Sequence, residues 1–217
     1  KTTQITNYES IGFISSILKN FNTTLLDLCQ DIWLYCHKDY FKIYKENAEQ
    51  VGSSTMPQKV NPINFENAEG NLKLAITLFN LMSEKLPVSR MQRDLTDSTV
   101  LRNYGVAMGH MYLSLDNIIR GINKLEPNID IISKDLLSHP EVLAEAVQCI
   151  LRVYGISGAY DIVREATQHQ NFKNAEDFKT VIISLLNKYL DTNNNIYSII
   201  VSRINNLKLE TYTGYIK

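Results

Sequence analysis

Apolar residues recur along this chain at steps of three and four, the spacing of one helix face rather than the alternation of a strand. Phe13, Ile17, Phe21, Leu25, Leu28, Ile32 and Tyr35 make one stripe, on a helix of roughly six turns. Ala68, Leu72, Ala75, Phe79 and Met82 make a second, ended by Pro87, which cannot continue a helix. A third is Val100, Tyr104, Ala107, Met111, Leu115, Ile118 and Ile122, with Asp94, Thr96 and Asp97 ahead of it as N-caps. Narrow stripes on long helices suit packing along their length in a bundle.

The pattern changes near Glu126-Pro127-Asn128, after which shorter helices are separated by polar breaks. His139-Pro140 can open a helix and Gly155 can close one. Asn174, with Asp177 three residues later, resembles a capping box ahead of Phe178, Val181, Leu185 and Tyr189. Asp191-Thr192-Asn193-Asn194-Asn195 reads as a polar linker before a last stripe of Ile196, Ile199, Ile200, Ile204 and Leu207. No period-2 strand of useful length occurs. The expected fold is all-α: residues 1–122 as part of a long-helix bundle, and residues 123–217 as a smaller helical domain.

Composition narrows the function classes. The 217 residues carry 22 Lys plus Arg against 23 Asp plus Glu, a net charge of −1 that argues against a nucleic-acid-backbone binder. Apolar residues, 44% of the chain, are scattered periodically, with no run of the roughly 18 needed to span a membrane. Cys29, Cys36 and Cys149 have no metal-like spacing and read as free thiols in a reducing compartment. The first residue is Lys1, and no signal-peptide pattern follows it. The expectation is therefore a cytoplasmic protein and a chain cut from something longer.

The segment richest in chemistry is Gly52-Ser53-Ser54-Thr55-Met56-Pro57-Gln58-Lys59-Val60-Asn61-Pro62. Gly52 gives backbone freedom, and Pro57 and Pro62 block a helix. Its hydroxyls, ammonium and amides suit a loop that closes over an anionic substrate. On residue types alone, a plain polar connection between two helices explains it equally well.

The run Gly52-Ser53-Ser54-x-Met56-Pro57-x-Lys59-x-Asn61 resembles the signature loop of the fumarase/aspartase superfamily, with seven specified residues in ten positions. Within that superfamily, Ser53 to Asn71 and Gln92 to Asn103 are similar to the adenylosuccinate lyase family, and Thr3-Gln4-Ile5 fits it as well. The likeness thins after about residue 155. It implies a homotetramer with shared active sites that eliminates fumarate from adenylosuccinate, giving AMP, and from SAICAR, giving AICAR, in purine biosynthesis. No metal or organic cofactor is implied.

The resemblance also implies roles. Ser53 would be the base that removes the Cβ proton of the succinyl group, with Ser54 beside it as a substrate contact or as the alternative base. Lys59 and Asn61 would hold the carboxylates and stabilise the aci-carboxylate. Glu66 would orient a catalytic histidine from outside this chain, and Asn67 and Gln4 would touch the substrate. Arg93 with Ser98, Thr99, Val100, Leu101 and Arg102 would bind the 5′-phosphate, the last five on the first turn of the long third helix. None of His37, His110, His139 and His169 matches the family's acid histidine, so each is expected to be a cap, core or surface residue, and this chain by itself is expected to be inactive. Two alternatives stay open: another lyase of the superfamily, such as argininosuccinate lyase or fumarase, and a helical scaffold without activity.

Overall fold

The structure is a computed structural model and describes residues 6–43, 60–90 and 95–214. The chain divides into two compact units, residues 1–128 and 129–217.

The first unit is built on three long helices: α1 (Glu9–His37), α2 (Ile63–Lys85) and α4 (Tyr104–Ile122). The second apolar stripe behaves as its spacing predicts. Ala68, Leu72, Ala75, Phe79 and Met82 are all fully buried, and so is Leu86 just before Pro87. α2 packs against α1 and against α4, so it is the middle element of the unit. Its alanines leave room for close approach, and glycines on the neighbours do the same. A Cβ at Gly12 would lie 2.7 Å from the Pro87 ring, and one at Gly121 would lie 2.7 Å from the Phe65 ring.

The first stripe turns out differently. Phe13, Ile17, Phe21, Leu28 and Tyr35 are exposed, while α1 buries Gly12, Ser15, Asn22, Cys29 and Ile32. The helix therefore has two faces with apolar content, and the one that packs on α2 is the less hydrophobic. Ser15 offsets its burial by donating to the Ile11 carbonyl at 2.8 Å. Burial, aided by Glu69, pushes the Cys29 thiol up to about 11, and burial raises Cys36 as well.

The third stripe spans two helices rather than one. α3 (Thr96–Leu101) ends where the Asn103 N–H bonds the Val100 carbonyl at 3.0 Å, a tight turn, and α4 starts where Ala107 N–H bonds the Asn103 carbonyl at 3.0 Å. The Asn103 side chain adds a bond to the Thr99 carbonyl at 3.1 Å. Neither Thr96 nor Asp97 caps a helix: Leu95 holds the N-cap position of α3 without a side-chain bond. Asp97 is instead buried and paired with Lys85 at 3.4 Å, because a buried carboxylate needs a cation more than a helix end needs a cap. Asp94 lies outside the described residues.

Two three-residue strands, β1 (Phe41–Ile43) and β2 (Leu125–Pro127), pair antiparallel with Phe41 opposite Pro127 and Ile43 opposite Leu125. The first compact unit includes this ribbon and ends at Asn128.

The second unit has its own core. Helices α6 (Ala144–Val153), α7 (Ala159–Thr167), α8 (Ala175–Tyr189) and α9 (Asn195–Asn205) supply it, and Leu136 of α5 (Ile129–Leu137) packs against it. Val147, Ile150, Leu151, Phe178, Ile182, Leu186, Ile200 and Ile204 are buried together. The local signals operate as expected here. Pro140 opens a 3₁₀ turn at Pro140–Leu143, and Gly155 follows the end of α6 at φ +71°. Asn174 caps α8 by accepting from the Asp177 N–H at 2.9 Å, and Asp177 accepts the Lys173 N–H at 3.0 Å. Ile196 and Ile199 of the last stripe stay exposed.

No helix among the described residues is long and apolar enough to cross a membrane. The close approach at Gly121 gives a test. Gly121→Ala should lower the stability of the protein by about 1–3 kcal/mol, because the Phe65 ring has to move from a well-packed position. Urea unfolding of the variant beside the unsubstituted protein checks this, and an unchanged midpoint would contradict the packing.

Candidate active site

Of the residues the signature implicates, Asn61, Glu66, Asn67, Ser98, Thr99, Val100, Leu101 and Arg102 are among those described, while Gln4, Ser53, Ser54, Lys59 and Arg93 lie outside them. The chain leaves the signature through Val60 and Asn61 and turns into α2 at Pro62, whose ring removes an N–H that the first turn would leave unpaired. The Pro62 carbonyl accepts from Phe65 at 2.9 Å and from Glu66 at 3.1 Å, and the Asn61 carbonyl accepts from Ile63 at 2.8 Å. These bonds set the direction of Asn61 and Glu66 against the start of the helix.

Asn61 and Glu66 line one cleft of about 370 Å³ together with Val60 and Pro62. Its far wall comes from the end of α1, with Trp33, Cys36 and His37, and from Asp39 just after it. The His37 ring lies nearly parallel to Trp33, with centroids 5.5 Å apart. Glu66 is exposed and occupies the first turn of α2, where the helix dipole favours a carboxylate. The structure thus places Asn61 and Glu66 on one cleft. It adds His37, which sequence reasoning set aside as a cap, core or surface residue. Nothing in the spacing of residues 33–39 and 61–66 signalled the meeting, since it depends on how α1 and α2 cross.

Asn67 lies on a different face of α2. It is exposed and directed toward α4, where Asn117 Nδ2 donates to its Oδ1 at 3.1 Å. The cleft and Asn67 therefore belong to the same end of α2 but to two of its sides.

The expected phosphate group needs a correction. Ser98 to Arg102 does not open the long helix: it occupies the six-residue α3 and its end, with the long helix starting at Tyr104. The Ser98 hydroxyl donates to the Leu95 carbonyl at 2.9 Å, and Val100 and Leu101 pack on the core of the first unit. The dipole of a long helix is consequently not available at Ser98. Arg102, in contrast, is exposed. The carboxylate nearest in sequence, Asp97, is occupied by Lys85 rather than by Arg102, and Lys85 also donates to the Val88 carbonyl at 3.1 Å. Simple surface pairing between Arg102 and Asp97 is thereby removed.

Comparison with known proteins places the chain in a family. A family model described as adenylosuccinate lyase C-terminal matches residues 89–213, and one described as lyase matches residues 1–75. The chain is 48% identical over 186 residues to an adenylosuccinate lyase of Dictyostelium discoideum, covering 85% of this chain and 40% of that protein. It is 46% identical over 213 residues to one of Legionella pneumophila (strain Corby), covering 98% of this chain and 44% of that protein. Against one of Escherichia coli (strain K12) the figures are 45% over 184 residues, 85% of this chain and 40% of that protein. The chain thus spans less than half the length of these relatives, and the family match runs well past Gly155, where the sequence likeness thins. A helical bundle, the signature leading into a cleft at the start of α2 and a family match over 89–213 converge: the chain belongs to the adenylosuccinate lyase family, as a C-terminal portion of it.

Proposed function

We propose that the complete protein carrying this chain is an adenylosuccinate lyase that releases fumarate from adenylosuccinate and from SAICAR, leaving AMP and AICAR. The observation that carries this reading is the continuity between the signature and the cleft: the run from Gly52 ends at Asn61, which lines one wall with Glu66. Family membership supports the reaction class.

In this reading the Ser53 hydroxyl takes the proton from Cβ of the succinyl group. The electron pair moves into the adjacent carboxylate as an aci-carboxylate, then forms the carbon–carbon double bond as the C–N bond breaks on the opposite face. Lys59 and Asn61 stabilise the added charge, which is where a site of this kind contributes most. A histidine held by Glu66 protonates the departing nitrogen, and that histidine comes from outside this chain. Gln4, Ser54 and Asn67 position the substrate. No metal or organic cofactor takes part.

Arg93, Ser98, Thr99, Val100, Leu101 and Arg102 form the phosphate subsite of the proposal. Arg102 contributes a guanidinium that no carboxylate of α3 engages, while the Ser98 hydroxyl has to leave the Leu95 carbonyl to take part. This group distinguishes a nucleotide substrate from the phosphate-free substrates of argininosuccinate lyase or fumarase. Four-copy assembly belongs to the same reading. It is supported by the exposed apolar face of α1, where Phe13, Ile14, Ile17 and Phe21 lie side by side on one continuous helix. A cytoplasmic location is supported by the free thiols Cys29, Cys36 and Cys149.

Two variants of the complete protein test the assignments. Ser53→Ala should lower kcat by about 10²–10⁴, the usual contribution of a positioned base, and an undiminished rate in a fumarate-release assay would remove Ser53 from that role. Arg93→Ala should raise KM for adenylosuccinate by about tenfold or more, the loss expected for a charged hydrogen bond, and an unchanged KM would remove the phosphate subsite.

A further inference from the structure

Five polar side chains form one hydrogen-bonded run between α2 and α4. Asn64 Nδ2 donates to Asn117 Oδ1 at 3.1 Å, and Asn117 Nδ2 donates to Asn67 Oδ1 at 3.1 Å. Asn71 Nδ2 donates to the same Asn67 Oδ1 at 3.1 Å, and Asn71 Oδ1 meets His110 Nδ1 at 2.8 Å.

The direction of this run is set by two main-chain carbonyls. Asn71 Nδ2 also reaches the Asn67 carbonyl at 2.9 Å, and Asn117 Nδ2 reaches the Leu113 carbonyl at 2.9 Å. A carbonyl oxygen only accepts, so the amide nitrogen must face it in both places. Each nitrogen then uses both hydrogens, one on the main chain and one on Asn67 Oδ1. That oxygen has two lone pairs, and both are taken. Turning the Asn67 amide over would set its N–H groups against two donors and leave both of those unpaired. Since Asn71 Oδ1 can only accept, the hydrogen on the neutral His110 ring is on Nδ1.

We infer that Asn67 is a fixed hydrogen-bond donor whose Nδ2 is offered to an oxygen acceptor of the substrate, a carboxylate or carbonyl oxygen, and that Asn71, Asn117 and His110 are positioning residues that hold it so. Asn67 is exposed, and its Nδ2 has no partner among the described residues. An amide free to rotate would serve a donor or an acceptor equally. This one serves only an acceptor, so the subsite selects against a substrate that presents N–H there. The inference rests on the proposed contact between Asn67 and substrate, and adds to it the polarity of that contact and the residues that impose it. The ladder reaches from the proposed substrate contact to His110, 43 positions further along the chain, although His110 is not itself a proposed site residue.

Two experiments on the complete protein test it. Asn67→Ala removes the donor, whereas Asn67→Asp keeps the shape and puts an anionic oxygen where the donor was. kcat/KM for adenylosuccinate should fall about tenfold or more in Asn67→Ala and further still in Asn67→Asp. Asn117→Asp, which replaces a donor to Asn67 Oδ1 with an acceptor, should raise KM about tenfold with kcat within about threefold, a split that general loss of folding would not produce. Selective ¹⁵N-histidine labelling of the unsubstituted protein should show neutral His110 in the Nδ1–H form. An Asn67→Asp enzyme as active as or more active than Asn67→Ala, or His110 in the Nε2–H form, would overturn the inference. Absence of fumarate release by the unsubstituted protein would overturn the lyase reading instead, and the His110 tautomer would then decide the ladder by itself.

Discussion

The buried seam of α2 is the constraint on which the first unit depends. Ala68, Leu72, Ala75, Phe79, Met82 and Leu86 are removed from solvent because α1 covers one side of the helix and α4 the other. Large-to-small changes along such a seam cost about 2–5 kcal/mol each, through lost transfer energy and the cavity left behind. Small residues at the crossings hold the helices close: Gly12 against Pro87, and Gly121 against Phe65. Ser114 contributes a polar tie inside the seam, donating to the Ala68 carbonyl at 3.2 Å and to the His110 carbonyl at 2.8 Å. With α2 fixed along its length, its first two turns become a rigid mount. Glu66 is then held toward the end of α1, and Asn67 toward α4.

Legibility in the sequence follows how local each interaction is. The Asn174 cap and the Gly155 stop depend on neighbours within a few residues, and both are readable from residue types in order. The α2 stripe is readable because it is buried against partners on both flanks. The α1 stripe was readable as apolar but not as buried. Periodicity marks which residues share a face and says nothing of what covers it, and Phe13 remains 67% exposed while Asn22 is buried. The break at Arg102-Asn103 is hidden in the sequence because the apolar spacing of Val100, Tyr104 and Ala107 continues across it. Within the ladder only the Asn67–Asn71 link has helical spacing; the other three side-chain links join residues 39 to 53 positions apart, and no spacing rule assembles those.

The candidate site shows the same division. The signature at 52–61 and the arginines at 93 and 102 stand out as a pattern of residues, and that pattern identifies the family. The surroundings of those residues do not follow from it. That Asp97 engages Lys85, that His37 and Trp33 face Asn61 and Glu66 across a cleft, and that the Asn67 oxygen is saturated are all consequences of helix crossings. Together they give Asn61 and Glu66 a fixed mount and leave Arg102 unengaged by Asp97. Both suit the anionic, phosphate-bearing substrate of the proposed function.

The central claim is that this chain belongs to an enzyme that eliminates fumarate from a succinylated nucleotide. The most direct measurement is fumarate release by the complete purified protein, offered adenylosuccinate, argininosuccinate and malate in parallel. Rapid release from adenylosuccinate, with little from the other two, is the predicted result. Release from argininosuccinate or malate in preference, or from none of the three, would contradict it.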